Sequence, residues 1–116
     1  MEIIETGIEG LLIIEPRVFE DKRGYFFEPY NKSKFQEATG LDPNFVQDNE
    51  SLSSKSVLRG LHFQIPPKAQ DKLVRVIAGS VLDVAVDIRK NSSTYGKYHS
   101  IILSAENKKQ FYIPKG

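Results

Sequence analysis

The residues able to do chemistry gather around one histidine. His62 lies in Val57-Leu58-Arg59-Gly60-Leu61-His62-Phe63-Gln64, an apolar run into which Arg59 is set three positions before it, with Lys72 ten positions after. A histidine alone in such a run is ordinarily structural, and His99, in Lys97-Tyr98-His99-Ser100-Ile101-Ile102-Leu103, reads that way. The cationic company of His62 marks it as the candidate reactive group. Arg23, Arg59 and Lys72 are the candidates for holding an anion, because arginine forks match phosphate oxygens and a lysine supplies a point charge. Phe26, close to Arg23, can stack on a flat base, and Gln47-Asp48-Asn49 offers donors and acceptors for sugar or base edges. Taken singly, each of these charges also reads as a solvated surface group.

Metal chemistry finds little support in the spacing. No His-x-His pair exists, His62 is followed by Phe63-Gln64, and there is no cysteine to serve as thiolate ligand or nucleophile. No Walker loop, GxGxxG or nucleophile elbow is present either. The residues point to a reaction without metal or other cofactor.

The elements that must position these groups are mostly strands. β-Branched and aromatic runs, punctuated by Gly, Pro, Asn and Ser, predict strands at Leu11 to Ile14, Tyr25 to Tyr30, Phe45 to Asn49, Val57 to Gln64, Lys72 to Ala78, Val81 to Ile88, Tyr98 to Leu103 and Gln110 to Ile113. Lys72 to Ala78 and Val81 to Ile88 are expected to form a hairpin through a type II′ turn at Gly79-Ser80. Asn31 to Gly40 predicts one short peripheral helix, with Asn as its cap, Gly at its end and Phe35 and Ala38 as its apolar pair. Within Val81 to Ile88, Leu82, Val84, Val86 and Ile88 share one face while Val81, Asp83, Ala85 and Asp87 share the other. Those carboxylates either face solvent outside a sandwich or place Asp83 in a polar cavity lined by strands. Strict alternation sets Arg59 and His62 on opposite faces, unless Gly60 permits a bulge that resets the phase.

Short strands with frequent turn signals and no βαβ unit imply an all-β antiparallel fold, a jelly-roll barrel or sandwich, occupying residues 1–116 as one domain. The length of 116 residues, with 40% hydrophobic residues, suits one core. A formal charge of +1 provides no global field for nucleic acid or an anionic membrane, so any anion site is a local cluster. The N-terminus Met1-Glu2-Ile3-Ile4-Glu5 lacks the basic start of a signal peptide, and no apolar run approaches a membrane span, so a cytoplasmic location is expected.

Several longer stretches, in order, resemble one family. Glu15-Pro16-Arg17-Val18-Phe19, Asp21-Lys22-Arg23-Gly24-Tyr25-Phe26-Phe27-Glu28, Phe45-Val46-Gln47-Asp48-Asn49-Glu50-Ser51, Leu58-Arg59-Gly60-Leu61-His62-Phe63-Gln64, Lys72-Leu73-Val74-Arg75-Val76 and Gly79-Ser80-Val81-Leu82-Asp83-Val84-Ala85-Val86-Asp87 are similar to motifs of the dTDP-4-dehydrorhamnose 3,5-epimerases. The resemblance implies a cofactor-free, cupin-like jelly roll that works as a homodimer with exchanged N-terminal strands. It implies as substrate dTDP-4-dehydro-6-deoxyglucose, epimerised at C3 and C5 in dTDP-L-rhamnose synthesis. His62 is then the base that removes protons next to the ketone, Lys72 sits near the keto oxygen, and Asp83 supports the site. Arg59 pairs with the diphosphate, Gln47, Asp48 and Asn49 line the nucleotide-sugar site, and Arg23, Phe26 and Glu28 hold the nucleotide across the dimer. In the family, a tyrosine donates the proton from the opposite face of the sugar and an aspartate orients the histidine. Both follow the equivalent of Phe111-Tyr112-Ile113-Pro114-Lys115-Gly116, so the chain is expected to be C-terminally incomplete. A non-catalytic dTDP-sugar-binding module and a metal-dependent cupin enzyme are the alternatives.

Overall fold

A computed structural model describes residues 1–116. The chain is built around the apolar triplet Leu12-Ile13-Ile14, whose residues are all buried although their side chains alternate between two faces. Burial on both faces demands a layer on each side, and the chain supplies two different ones. Strand β2 (Leu12–Glu15) lies inside a four-stranded antiparallel sheet of order β1-β2-β8-β5, where β1 is Glu2–Glu5, β8 is Gln110–Ile113 and β5 is Lys72–Val74. Ile13 opposes Phe111, and Leu12 opposes Tyr112.

On one side of the sheet, Ile13 and Phe111 join Ile8, Leu11, Ala85, Ile101 and Leu103 in the larger core cluster. The last three belong to a hairpin of β6 (Ser80–Val86) and β7 (Tyr98–Ser104), paired from Ser80↔Ser104 to Val86↔Tyr98. On the other side, Leu12, Ile14 and Tyr112 pack against Phe35 of helix α1 (Lys32–Thr39). Burying Phe35 to 1% exposure anchors an otherwise polar helix. Asn31 caps its start by accepting from the Lys34 N–H, and Gly40 ends it at φ 73°, a left-handed conformation that glycine enters without steric cost. A smaller hairpin, β3 (Phe19–Asp21) and β4 (Gly24–Phe26), flanks this layer. Gln110, buried within β8, donates to the Pro29 carbonyl at 2.7 Å and ties the approach to the helix to the sheet.

The fold is therefore mostly strand with one short helix, the all-β jelly-roll class expected, and the helix follows its sequence bounds. Four expectations about elements are corrected. The hairpin predicted between Lys72 to Ala78 and Val81 to Ile88 does not form. β5 stops at Val74 and pairs with β8, while β6 pairs with β7. A turn signal at Gly79-Ser80 constrains only local geometry, whereas pairing goes to the strand that completes the core. Phe45 to Asn49 and Val57 to Gln64 form no strand, since nothing lies beside them to take their backbone hydrogen bonds. Tyr25 to Tyr30 is strand only to Phe26. Finally, β1 and β3 were not expected, because Glu2–Glu5 and Phe19–Asp21 are too acidic to read as strands alone.

The two faces of β6 are also decided. The carboxylate face is the inner one: Asp87 is buried, Ala85 sits in the core and Asp83 is half-buried, so the solvent-facing alternative is excluded. The apolar face is the outer one, with Leu82 66% exposed beside its cross-strand partner Ile102 at 60%. Asp87 tolerates burial because it is saturated with donors. It accepts from the Arg89 backbone N–H and Nε, both at 3.0 Å, from Ser92 Oγ, and from Thr94 Oγ1 at 2.6 Å. These bonds, led by the Arg89 guanidinium, hold its carboxyl well below the usual carboxylate range.

Candidate functional site

Two groups of candidate residues are assembled, and a third is not. The first group is Lys72 and Asp83. Lys72 begins β5 and shares a face with Val74, which packs on the larger core cluster. Asp83 lies two residues before Ala85 of the same cluster, so both charges open into the space between sheet and β6–β7 hairpin. Burial raises the Asp83 pKa, while a hydrogen bond from the Val84 N–H and the positive charge of Lys72 pull it back. A carboxylate and an ammonium at the edge of an apolar core, close enough for the charge of one to act on the other, can stabilise charge that develops on a bound molecule.

The second group lines an open cleft of about 610 Å³ between the β3–β4 hairpin, helix α1 and the N-terminus. Phe26 and Glu28 lie in its wall, as do Pro16, Arg17, Phe19 and Lys34. Two exposed rings and several charges suit a ligand with a flat aromatic part and polar edges. Glu28 is already engaged: Lys34 Nζ donates to it at 2.8 Å and Asn31 Nδ2 at 3.3 Å, and both bonds lower its pKa. Arg23, at the tip of the hairpin, does not line the cleft. It pairs with Asp21, Nη2 to Oδ2 at 2.7 Å, and is almost fully exposed. The sequence reading assigned no role to Arg17, Phe19 or Lys34. The Arg-x-Phe spacing was the available signal, since residues two apart in an extended chain share a face, and the Arg17 guanidinium lies 4.7 Å from the Phe19 ring centre.

The third group sits on residues 46–70, which contain neither helix nor strand and, Ala69 apart, are exposed throughout. Gln47 donates to Asn49 at 3.0 Å, and Asp48 is exposed beside them. Arg59 donates through Nε to Ser53 Oγ at 2.8 Å, again within the segment. His62 is exposed and does not line the cleft. Gly60, at φ 114°, breaks the extended path between Arg59 and His62, so no common pleat orders the two. His99 is half-buried, its ring 6.3 Å from that of Phe111. Nowhere do three His, Asp or Glu side chains converge as metal ligands would, and no helix is long and apolar enough to cross a membrane.

The motifs and this architecture have counterparts among known proteins. The family model for dTDP-4-dehydrorhamnose 3,5-epimerase matches residues 5–116. The chain belongs to that family. It is 59% identical over 116 residues to the dTDP-4-dehydrorhamnose 3,5-epimerase of Escherichia coli (strain K12), covering all of this chain and 63% of that protein. Among solved structures, the epimerase of the same name from Elizabethkingia anophelis superposes with a TM-score of 0.94 at 58% identity, over 100% of this chain and 63% of the other. The dTDP-6-deoxy-D-glucose-3,5-epimerase of Legionella pneumophila, solved with dTDP-4-keto-L-rhamnose, gives a TM-score of 0.94 at 53% identity, over 99% of this chain and 61% of its own. The chain thus spans somewhat under two-thirds of the length of these family members.

Proposed function

We propose that the protein inverts C3 and C5 of dTDP-4-dehydro-6-deoxy-D-glucose to give dTDP-4-dehydro-L-rhamnose, without a cofactor. The observation that carries the reading is the 59% identity to an epimerase of that name over all 116 residues. Loss of a proton from carbon next to a ketone leaves its electron pair in an enolate. The reaction therefore needs a base titrating near neutral pH and fixed positive charge at the oxygen. His62 is the base: its exposed imidazole, free of hydrogen-bond partners, is able to accept a proton from substrate. Lys72 supplies the charge at the keto oxygen, and Asp83 keeps the ammonium directed inward. Reprotonation from the opposite face completes each inversion.

Arg59 takes the diphosphate, Gln47, Asp48 and Asn49 meet the nucleotide-sugar, and Arg23, Phe26 and Glu28 hold the nucleotide. The cleft beside Phe26 and Glu28 supports the last assignment. The working form is a cytoplasmic homodimer with exchanged N-terminal strands. Its support is the exposed, acidic β1 at one edge of the sheet, a strand whose outer hydrogen-bonding groups are unpaired.

The test is exchange of the substrate's α-protons in deuterium oxide by the full-length protein. The wild type should incorporate deuterium at C3 and C5, and His62→Asn should abolish it; undiminished exchange in the variant refutes the base assignment. A non-catalytic dTDP-sugar-binding module is the second reading, favoured by a cleft that is assembled while His62 stands apart from it. Calorimetric binding of dTDP by a wild type that exchanges no protons would establish that reading instead.

A further inference from the structure

Lys72 is the terminal residue of a three-residue strand, and the chain before it is unpaired back to Phe45, which still packs on the helix-side core. A strand end in that position frays first unless something holds it. The structure shows what does. The Lys115 N–H donates to Asp71 Oδ1 at 2.8 Å, joining positions 44 residues apart. Of the side-chain hydrogen bonds made by residues 46–71, this one alone reaches outside the segment.

Alternation then separates the roles of neighbouring residues. Leu73 opposes Tyr112, so Asp71, Leu73 and Tyr112 share the helix-side face of the sheet, while Lys72 and Val74 point to the hairpin side, toward Asp83. The Tyr112 ring is buried, 5.4 Å from that of Phe35, and the charge of Asp71 acts on its phenol. The carboxylate is thus tied to a backbone N–H of the chain leaving β8, on the face where the Tyr112 phenol is fixed in the core.

We propose that Asp71 is a positioning residue for Lys72: by tying the start of β5 to Lys115 on one face of the sheet, it holds the Lys72 ammonium in place on the other. The proposal rests on the epimerase reading above. A group at the reacting centre displaced by about 1 Å loses up to roughly a hundredfold in rate, so a loosened strand end should be felt in kcat rather than in substrate binding.

The experiment compares variants of the full-length protein by steady-state kinetics and α-proton exchange, with circular dichroism to verify folding. Asp71→Ala should lower kcat about tenfold while leaving KM within about twofold. Asp71→Asn keeps an acceptor for the Lys115 N–H and should restore most of the rate. Tyr112→Phe, which removes only the hydroxyl, should lower kcat a few-fold and keeps the test open if Asp71→Ala fails to fold. A residue acting through Lys72 is silent once Lys72 is gone, so adding Asp71→Ala to Lys72→Ala should leave the residual exchange unchanged. Full kcat in folded Asp71→Ala and Tyr112→Phe, or the same tenfold loss with Lys72 already removed, overturns the proposal while the epimerase reading stands. Absence of exchange in the wild type overturns both.

Discussion

The sheet with its two covering layers and the segment 46–70 are made of similar residues and behave in opposite ways. Leu12, Ile13 and Ile14 are buried on both faces of a strand paired on both sides. Leu58, Leu61 and Phe63 are equally apolar, yet they are 92%, 73% and 68% exposed. Composition does not separate the two regions; partners do. A strand is stable only when neighbours take its backbone hydrogen bonds and cover its apolar face, and β2 has β1, β8, the hairpin and the helix. Residues 46–70 make only local hydrogen bonds, such as Val57 N–H to Ser54 and Lys68 N–H to Ile65. Within residues 1–116, the region carrying His62 and Arg59 is thus the one that bonds only locally, whereas Lys72 and Asp83 stand on the packed scaffold.

Stability measurements break or sharpen this contrast. The largest effect is expected at Phe111, fully buried where the sheet meets the hairpin: Phe111→Ala should cost about 3–5 kcal/mol in urea unfolding. Leu58→Ala should change stability by less than about 0.5 kcal/mol. A cost at Leu58 comparable to that at Phe111 would mean that the segment is packed in the working protein, and the contrast would fail.

Next comes Asp87, the buried charge of the scaffold. Its carboxyl titrates below the ordinary range in the folded state, so its contribution is present above the unfolded value near about 4 and is lost as pH falls below it. Stability should decline on acidification from about pH 4, and Asp87→Asn should be less stable at neutral pH with a flatter decline. An unchanged acid profile in the variant would rule out Asp87 as the cause.

Tyr112 mirrors this at the alkaline end. Burial, then the charge of Asp71, push its phenol up to about 12, so the folded state favours the neutral form. That stabilisation is complete below the unfolded value near about 10 and disappears as pH rises through about 12. Tyr112→Phe should flatten the loss over that window, as followed by far-ultraviolet circular dichroism. Within the packed scaffold the smallest cost belongs to the helix cap, where Asn31→Ala should cost about 1 kcal/mol by orphaning the Lys34 N–H.

Much of this molecule was legible in local pattern. The helix follows from Asn31, Phe35 and Gly40, and the strands Leu12–Glu15, Tyr98–Ser104 and Gln110–Ile113 follow from their apolar runs, because capping, left-handed turns and alternation act over a few residues. The cluster of Arg23, Arg59, His62, Lys72 and Asp83 was equally legible as a set of residue types. Family membership follows from the same stretches, since their order along the chain is itself a sequence property.

Pairing was not legible. Lys72–Val74 turned away from the near partner that Gly79-Ser80 offered and joined β8, some 40 residues distant, because only there do Leu73 and Val74 each meet a core layer. Nor could alternation within β6 tell which face lay inside. Asp87 took the interior because Arg89, Ser92 and Thr94 return to satisfy it. The sequence by itself determined the elements, the candidate chemistry and the family. The tertiary structure alone decided which strands meet, which carboxylates are buried, and that the charge of Lys72 acts on the half-buried Asp83. Residue types and turns are local properties, whereas burial and pairing are won in competition across the whole chain.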